Sequence, residues 1–542
     1  YGAVRDHNWG TPPPHFTRYK VEARDDSFTA RFTAEHVSGD VDLVWEGTID
    51  GSAGGTIAFT FDATARATFL SNRIGLYVLH PMEAAGSQVE VRHTDGSTER
   101  GTFPIDVSPH QPFFDVAALR QELAPGVTVE IGFEGEVFEM EDQRNWTDAS
   151  YKTYSTPLAL PYPVEVPAGK KVWQRVTLRV TGAPPARSVN EQPEEPVVVR
   201  VGERHIGSLP PIGLQIASHS QPLGEREIDL LAPLNLDHLW LTLHLTRVDW
   251  EARLLAAHEQ GQALRAPLEI EAICGDSGAG LDALAATLAA RRIPVSAVHV
   301  YPKSGVVTTE AVLRPARMAF RAARVREPIG GGSRADFVNI NRATLPLEAM
   351  DFVAFAVNPQ VHTFDDASMV ETLAAQTVVL ENAKRITHGL PVRVGPVTLR
   401  QRLNPAAAAA PEAAPGQIPS NADPRQSAPF AAAWMLGSIR RLLGAKAITL
   451  FETTGPLGLI DAGQPTPAYG VLAAVCERGQ DDVLPTETSA HTVEALALRG
   501  PDGTRLLIAN LSDQAQRVRI DGLPLANTQL TLPPYATTIL DC

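Results

Sequence analysis

The densest concentration of groups able to do chemistry lies in residues 139–156, EMEDQRNWTDASYKTYST. Glu139, Glu141 and Asp142 precede Arg144, Asn145, Trp146, Thr147 and Asp148, with almost no aliphatic residue between them. A half-buried strand alternates polar with apolar residues, and a surface helix carries an apolar stripe; this run does neither. It reads as the end of a strand, VTVEIGFEGEVFEM, opening into a polar loop. Acids and amides bond hydroxyls, and a flat indole covers the CH face of a sugar ring. Glu141 and Asp142 are therefore candidate proton-transfer groups, and Arg144, Asn145 and Trp146 candidate contacts for a polyhydroxylated ligand. The structural alternative is a solvated loop held by internal salt bridges.

A second set of groups closes short apolar runs further along the chain. Glu452 follows AITLF and precedes TTG. A lone acid at the carboxyl end of a barrel strand points into the site, which makes Glu452 the leading catalytic candidate. Asn358-Pro359-Gln360-Val361-His362 ends another run, bringing an amide and an imidazole to one face. His362 is a candidate general base or hydroxyl ligand, and Asn358 a candidate contact. Asp365 and Asp366 read as caps of a helix starting at Ala367 or Ser368. Asn339 and Asn341 have the same parity in the run ADFVNIN, read as a strand. Arg400 and Arg402 follow PVRVGPV, and Arg425 lies in a long loop beyond it. An arginine beside such a site holds a carboxylate or a developing oxyanion. His299, Tyr301 and Lys303 alternate onto one face; inward barrel layers account for His244 and Glu271. His80 and His110 stand beside prolines in what read as rigid loops, and His110 joins the ligand contacts if its domain packs against the barrel mouth.

The elements that must position these groups fall into three segments. Residues 1–182 alternate in segments such as FTARFTAE, DVDLVWEGTI and KVWQRVTLRV, broken by Gly, Asp and Pro, and predict an N-terminal β-sandwich. A Pro/Glu-rich linker follows at 183–197. Residues 198–478 carry short apolar runs at intervals of about 30 residues, separated by helical stretches such as GLDALAATLAARR. Strands are expected at 211–217, 238–245, 267–274, 296–302, 335–341, 351–358, 391–397 and 447–453. Eight such units predict a (β/α)8 barrel of TIM type. Residues 485–542 return to β-patterning and predict a small C-terminal β-sandwich. The Pro- and Ala-rich run 403–426 between the last two barrel strands reads as a lid, because long loops at that end of a barrel are usually functional.

Composition removes several function classes. The chain has 542 residues, far more than one core, and its 47 basic against 62 acidic residues leave a formal charge of −15. That balance argues against nucleic acid or an anionic membrane as partner. Three widely spaced cysteines offer neither a disulfide framework nor a metal motif. With no signal-like leader and no run of about 18 apolar residues, the cytoplasm is the expected compartment. HExxH, GxSxG, GxxxxGK[ST] and a strand–GxGxxG–helix unit are absent, which sets aside zinc proteases, α/β-hydrolases and nucleotide enzymes.

Several longer strings, taken together, resemble the bacterial D-apionate lactonase family. They are RDHNWGT, NRIGLYVLHP, SPHQPF, VFEMEDQRNWTDASYKTYSTPLALPYPV, SHSQPLGERE, NPQVHTFDD, PVTLRQRLNP, DPRQ and FETTG, spread over nearly the whole chain. The chain departs from the family pattern after Asn404-Pro405, where AAAAAPEAAPG stands in place of an Asn-rich run. The resemblance implies hydrolysis of D-apionolactone to D-apionate in apiose catabolism, on a β domain, barrel and β domain in that order. Water would attack the lactone carbonyl with Glu452, Glu141 or Asp142 as general base and His362 as a further candidate. Arg144 or Arg425 would stabilise the oxyanion, Asn145 and Trp146 would position the ring, and no cofactor is expected. The alternatives are a glycoside hydrolase and a non-catalytic carbohydrate-binding scaffold. The former needs a second carboxyl about 5–5.5 Å or about 6.5–9.5 Å from Glu452. The predicted barrel strands offer no such acid at an end, so EMED of the first domain would have to supply it.

Overall fold

A computed structural model describes residues 1–182, 195–219, 221–405 and 419–542. By contacts it divides into two compact units. The first holds residues 1–144 and 150–182, and the second holds 145–149 with the remainder of the described chain.

The first unit is an antiparallel system of 14 strands. In Val41–Ser52, Val41, Leu43, Trp45 and Gly47 are buried at every second position, the period that turns one face of a strand inward. Such faces meet in one core that includes Val4, Trp45, Phe61, Phe103, Phe138 and Tyr151.

The second unit is built on eight parallel strands, β1 (Ile212–Gln215), β2 (Leu239–His244), β3 (Leu268–Cys274), β4 (Val295–Pro302), β5 (Ile329–Gly332), β6 (Val353–Val357), β7 (Val392–Val397) and β8 (Ala447–Thr454). Strand β1 pairs with both β2 and β8, which closes the barrel. Helices follow most strands, among them Trp250–Leu264, Glu310–Ala322 and Asp366–Ile386. The last is capped as expected: the Asp365 carboxylate accepts from the Ser368 amide at 2.9 Å.

The fifth strand is the one barrel element displaced from expectation. It is Ile329–Gly332, whereas Val338–Asn341 of the run ADFVNIN forms a helical turn. The sequence IGGG lacks the bulky residues that mark a strand, but close packing demands glycine there. A Cβ on Gly330 would lie 2.3 Å from the Phe352 carbonyl oxygen, and one on Gly331 1.9 Å from Thr308 Oγ1. As a result Asn339 and Asn341 do not share a strand face.

The C-terminal sandwich has a four-stranded sheet, ordered 486–488, 197–201, 516–521, 529–532, against a five-stranded one. Two of its strands, Val197–Val201 and Gly207–Ser208, precede the barrel in sequence, inside the span expected to be barrel. Val199 and Ile520 share its core. No helix among the described residues is long and apolar enough to cross a membrane.

Candidate active site

The barrel's carboxyl-terminal end carries a connected set of charged groups. Glu452 stands near the end of β8. Leu214 pairs with Leu450 but Gln215 pairs with Glu452, so β8 holds one extra residue at Phe451. Such a bulge re-aims the side chain that follows it. The Glu452 carboxylate is 7% exposed, and its Oε2 accepts from the Ser218 amide at 2.9 Å and the Ser218 hydroxyl at 3.2 Å. Burial pushes it up to about 7, opposed by the Ser218 hydrogen bonds and the charge of Arg402.

Arg402, beyond β7, donates to Glu271 at 3.0 Å and to Thr242 Oγ1 at 3.3 Å. Arg334, beyond β5, donates to the other Glu271 oxygen at 2.9 Å. Glu271 is fully buried; against that burial, Arg334 and Arg402 hold its carboxyl well below the usual carboxylate range. Two guanidiniums on one carboxylate leave a net positive charge beside Glu452. A deeper layer of the barrel holds Glu269 with His238, His299 and Arg393, so the inward-facing His299 and Glu271 belong to successive layers.

A second cluster sits over β5 and β6. Asp336 is 3% exposed and accepts from Asn358 Nδ2 and Gln401 Nε2, both at 2.9 Å. Burial pushes it up to about 7, with the nearby Asp148 charge acting in the same direction. Residues 145–149 pack into this region. Asn341 Nδ2 donates to Asn145 Oδ1 at 2.9 Å, and Thr147 Oγ1 donates to the Asn358 carbonyl at 3.0 Å. The Trp146 and His362 rings meet edge to face at 5.2 Å, and the Arg342 guanidinium lies over the indole. His362 Nδ1 and Asp148 Oδ2 are 2.7 Å apart. Arg400, Gln401 and Arg402 are consecutive, and they reach Asp423, Asp336 and Glu271 respectively. One short stretch after β7 thus ties the acids of neighbouring loops together.

Other expected site residues are used structurally. Arg144 is 1% exposed and donates to Asp142 and to the carbonyls of Pro104, Ile105 and Asp106. Asp142 also accepts from the Ser108 amide, and Glu141 pairs with Lys152 at 3.0 Å. These contacts lie within the first unit. His110 is exposed, and its carbonyl accepts from Ser108 Oγ. Arg425 donates to Asp423, Asp366, Gln360 and the Phe364 carbonyl, and stacks on Phe430. With Arg400 it clamps Asp423, anchoring the chain just before helix Pro429–Arg441. Most of the expected lid, residues 406–418, lies outside the described residues.

The sequence reading passed over Asp336, Ser218 and Arg334. Asp336 was hidden because ADFVNIN reads as a strand, although a buried acid in that run was a signal. Asp336 also corrects the expectation that the barrel end offers no second acid. Among the described residues no group of three or more His, Cys, Asp or Glu side chains is placed to hold a metal ion.

Family profiles match the chain in three consecutive blocks. The D-apionate lactonase N-terminal domain covers residues 1–183, its TIM barrel domain 212–480, and its C-terminal immunoglobulin-like domain 490–540. The chain belongs to the D-apionate lactonase family. A D-apionate lactonase from Brucella anthropi is 33% identical, over 98% of this chain and 90% of its own length. Solved structures resemble the chain only loosely. A GH30 endoxylanase from Clostridium papyrosolvens is 12% identical, with a TM-score of 0.43 over 64% of this chain and 100% of its own. A family 51 α-L-arabinofuranosidase from Bifidobacterium longum is 12% identical, with a TM-score of 0.45 over 64% of this chain and 95% of its own. Likenesses this weak carry no weight in choosing a reaction.

Proposed function

We propose that the protein hydrolyses D-apionolactone, or a closely related aldonolactone, to the sugar acid. Family membership supports the lactone class. The observation that carries the mechanism is Glu452, a buried carboxyl at the end of β8 with a raised pKa and a guanidinium nearby. Ser218 occupies its Oε2 with two hydrogen bonds, which orients the carboxylate and leaves Oε1 to take a proton from water. A base with a pKa near the working pH combines an ionised fraction with proton affinity, and such groups contribute about 10²–10⁴-fold. Attack places negative charge on the carbonyl oxygen. Arg402, fixed by Glu271 and Thr242, is the cation proposed to stabilise it, in place of Arg144 and Arg425, whose guanidiniums are engaged elsewhere. One such donor contributes about 10²–10³-fold. Asn145, Trp146, Asn341 and Asn358 remain proposed as contacts for the ring and its hydroxyls. A role in bacterial apiose catabolism and a cytoplasmic location belong to the same proposal; the free thiols of Cys274, Cys476 and Cys542 suit a reducing compartment.

The test is proton release at constant pH with D-apionolactone and a panel of aldonolactones. Rapid acid production, lost in Glu452→Gln, is the expected result. No release from any lactone would overturn the reading.

A further inference from the structure

Ring opening has a second half that Glu452 does not serve. After water adds, the acyl–oxygen bond of the ring breaks and its electrons go to the ring oxygen. An alkoxide leaves poorly unless it is protonated as it departs. We propose that His362, oriented by Asp148, donates that proton from Nε2. This step rests on the lactonase reading above.

The geometry around His362 suits a donor. Asp148 holds Nδ1 at 2.7 Å, which sets the plane of the ring and points Nε2 away from the carboxylate. Trp146 packs edge to face against the imidazole and restricts its rotation. The side chain of His362 is 15% exposed and that of Asp148 9%, so the pair is held largely out of water yet reachable. The charged groups around the pair are Asp148, Asp336 beyond it, and Arg342 across the indole. Thr147 fastens the segment carrying Asp148 to the end of β6 through the Asn358 carbonyl, four residues before His362. Asp336 joins this cluster to Gln401, and the adjacent Arg402 joins it to the Glu452 side of the barrel mouth.

Protons and bonds balance. Glu452 takes one proton from water while oxygen bonds to the carbonyl carbon. His362 gives one proton to the ring oxygen as that bond breaks. The new carboxylic acid returns a proton to His362, and Glu452 releases its proton to solvent, the acid that titration detects. Asp148 acts through His362 and is a positioning residue.

The experiment compares each variant on two matched substrates, an aldonolactone and the thiolactone with sulfur in place of the ring oxygen. A thiolate is a far weaker base than an alkoxide and leaves with little help from a donor. In His362→Gln, kcat on the lactone should fall by about 10²-fold or more, and the loss on the thiolactone should be at least about tenfold smaller. Asp148→Asn should show the same imbalance. The ratio of the two losses does not depend on how much of a preparation is folded. Equal losses on both substrates would overturn the donor role while leaving the lactonase reading intact. A wild-type enzyme inactive on every lactone would overturn both.

Discussion

Glu452 combines two demands that pull against each other. The role proposed for it as a base needs its ionised form, and the fold resists ionisation by burying it. Its pKa, raised from an ordinary 4.5 to about 7, expresses that conflict. As a base it must be deprotonated, so the acidic limb of kcat/KM should rise with pH toward about 7; a profile flat from pH 5 to 8 would remove Glu452 from that role. Glu452→Gln should lower kcat by about 10²-fold or more. The same shift has a consequence for stability. The folded state binds the proton more tightly than the unfolded chain, so stability is lost as pH rises from about 4.5 through about 7. The full cost is about 3 kcal/mol, from 1.36 kcal/mol per pKa unit. The Gln variant escapes it, and should melt above wild type at pH 8 with the difference closing toward pH 4. A wild-type protein that is the more stable of the two at pH 8 would contradict this account. Glu452, His362 and Asn358 are legible in the sequence as candidate site residues because each stands at or just past the end of an apolar run. Asp148 and Asp336 were not singled out, since what distinguishes them is burial and a partner more than 60 residues away.

At the scale of elements, β5 shows where pattern reading fails. Three consecutive glycines carry no hydrophobic period, and a more apolar stretch lies six residues on. The glycines are there because β6 and Thr308 come too close for side chains. Gly330→Ala should force the Phe352 carbonyl away and cost about 1–3 kcal/mol, measured by urea denaturation. An unchanged midpoint would mean the two strands have room to part. The bulge in β8 is the companion case. A lone acid after AITLF at the end of a barrel strand is expected to point inward, and the extra residue at Phe451 sets its direction. The loop after β7 works differently again: Arg400 and Arg402 read as strand-end charges beside a site, and with Gln401 between them each meets a different buried acid.

At the scale of the molecule, two strands that precede the barrel, Val197–Val201 and Gly207–Ser208, belong to the C-terminal sandwich. Val197–Val201 lies between strands 486–488 and 516–521, and Val199 is fully buried there. Val199→Asn would bury an amide among Val518, Ile520 and Val493. The expected cost is about 2–4 kcal/mol. Because that strand is joined directly to the barrel, calorimetry should show the loss in the transition of the second unit, with the first unit's transition unmoved. A shift confined to the first unit would refute this assignment.

Local pattern by itself determined the class of each segment: alternation for the two β domains, eight spaced apolar runs with helices for the barrel, and lone acids or amides at run ends for part of the site. These are properties of neighbours in sequence, set by the periods of strand and helix. Tertiary structure alone decided which charged groups are enclosed by structural partners and which stand beside the proposed base. Arg144 and Arg402 are indistinguishable as residue types, but one is enclosed by carbonyls and Asp142, and the other is held beside Glu452. Burial and long-range pairing make that difference, and neither is written in the spacing of the chain.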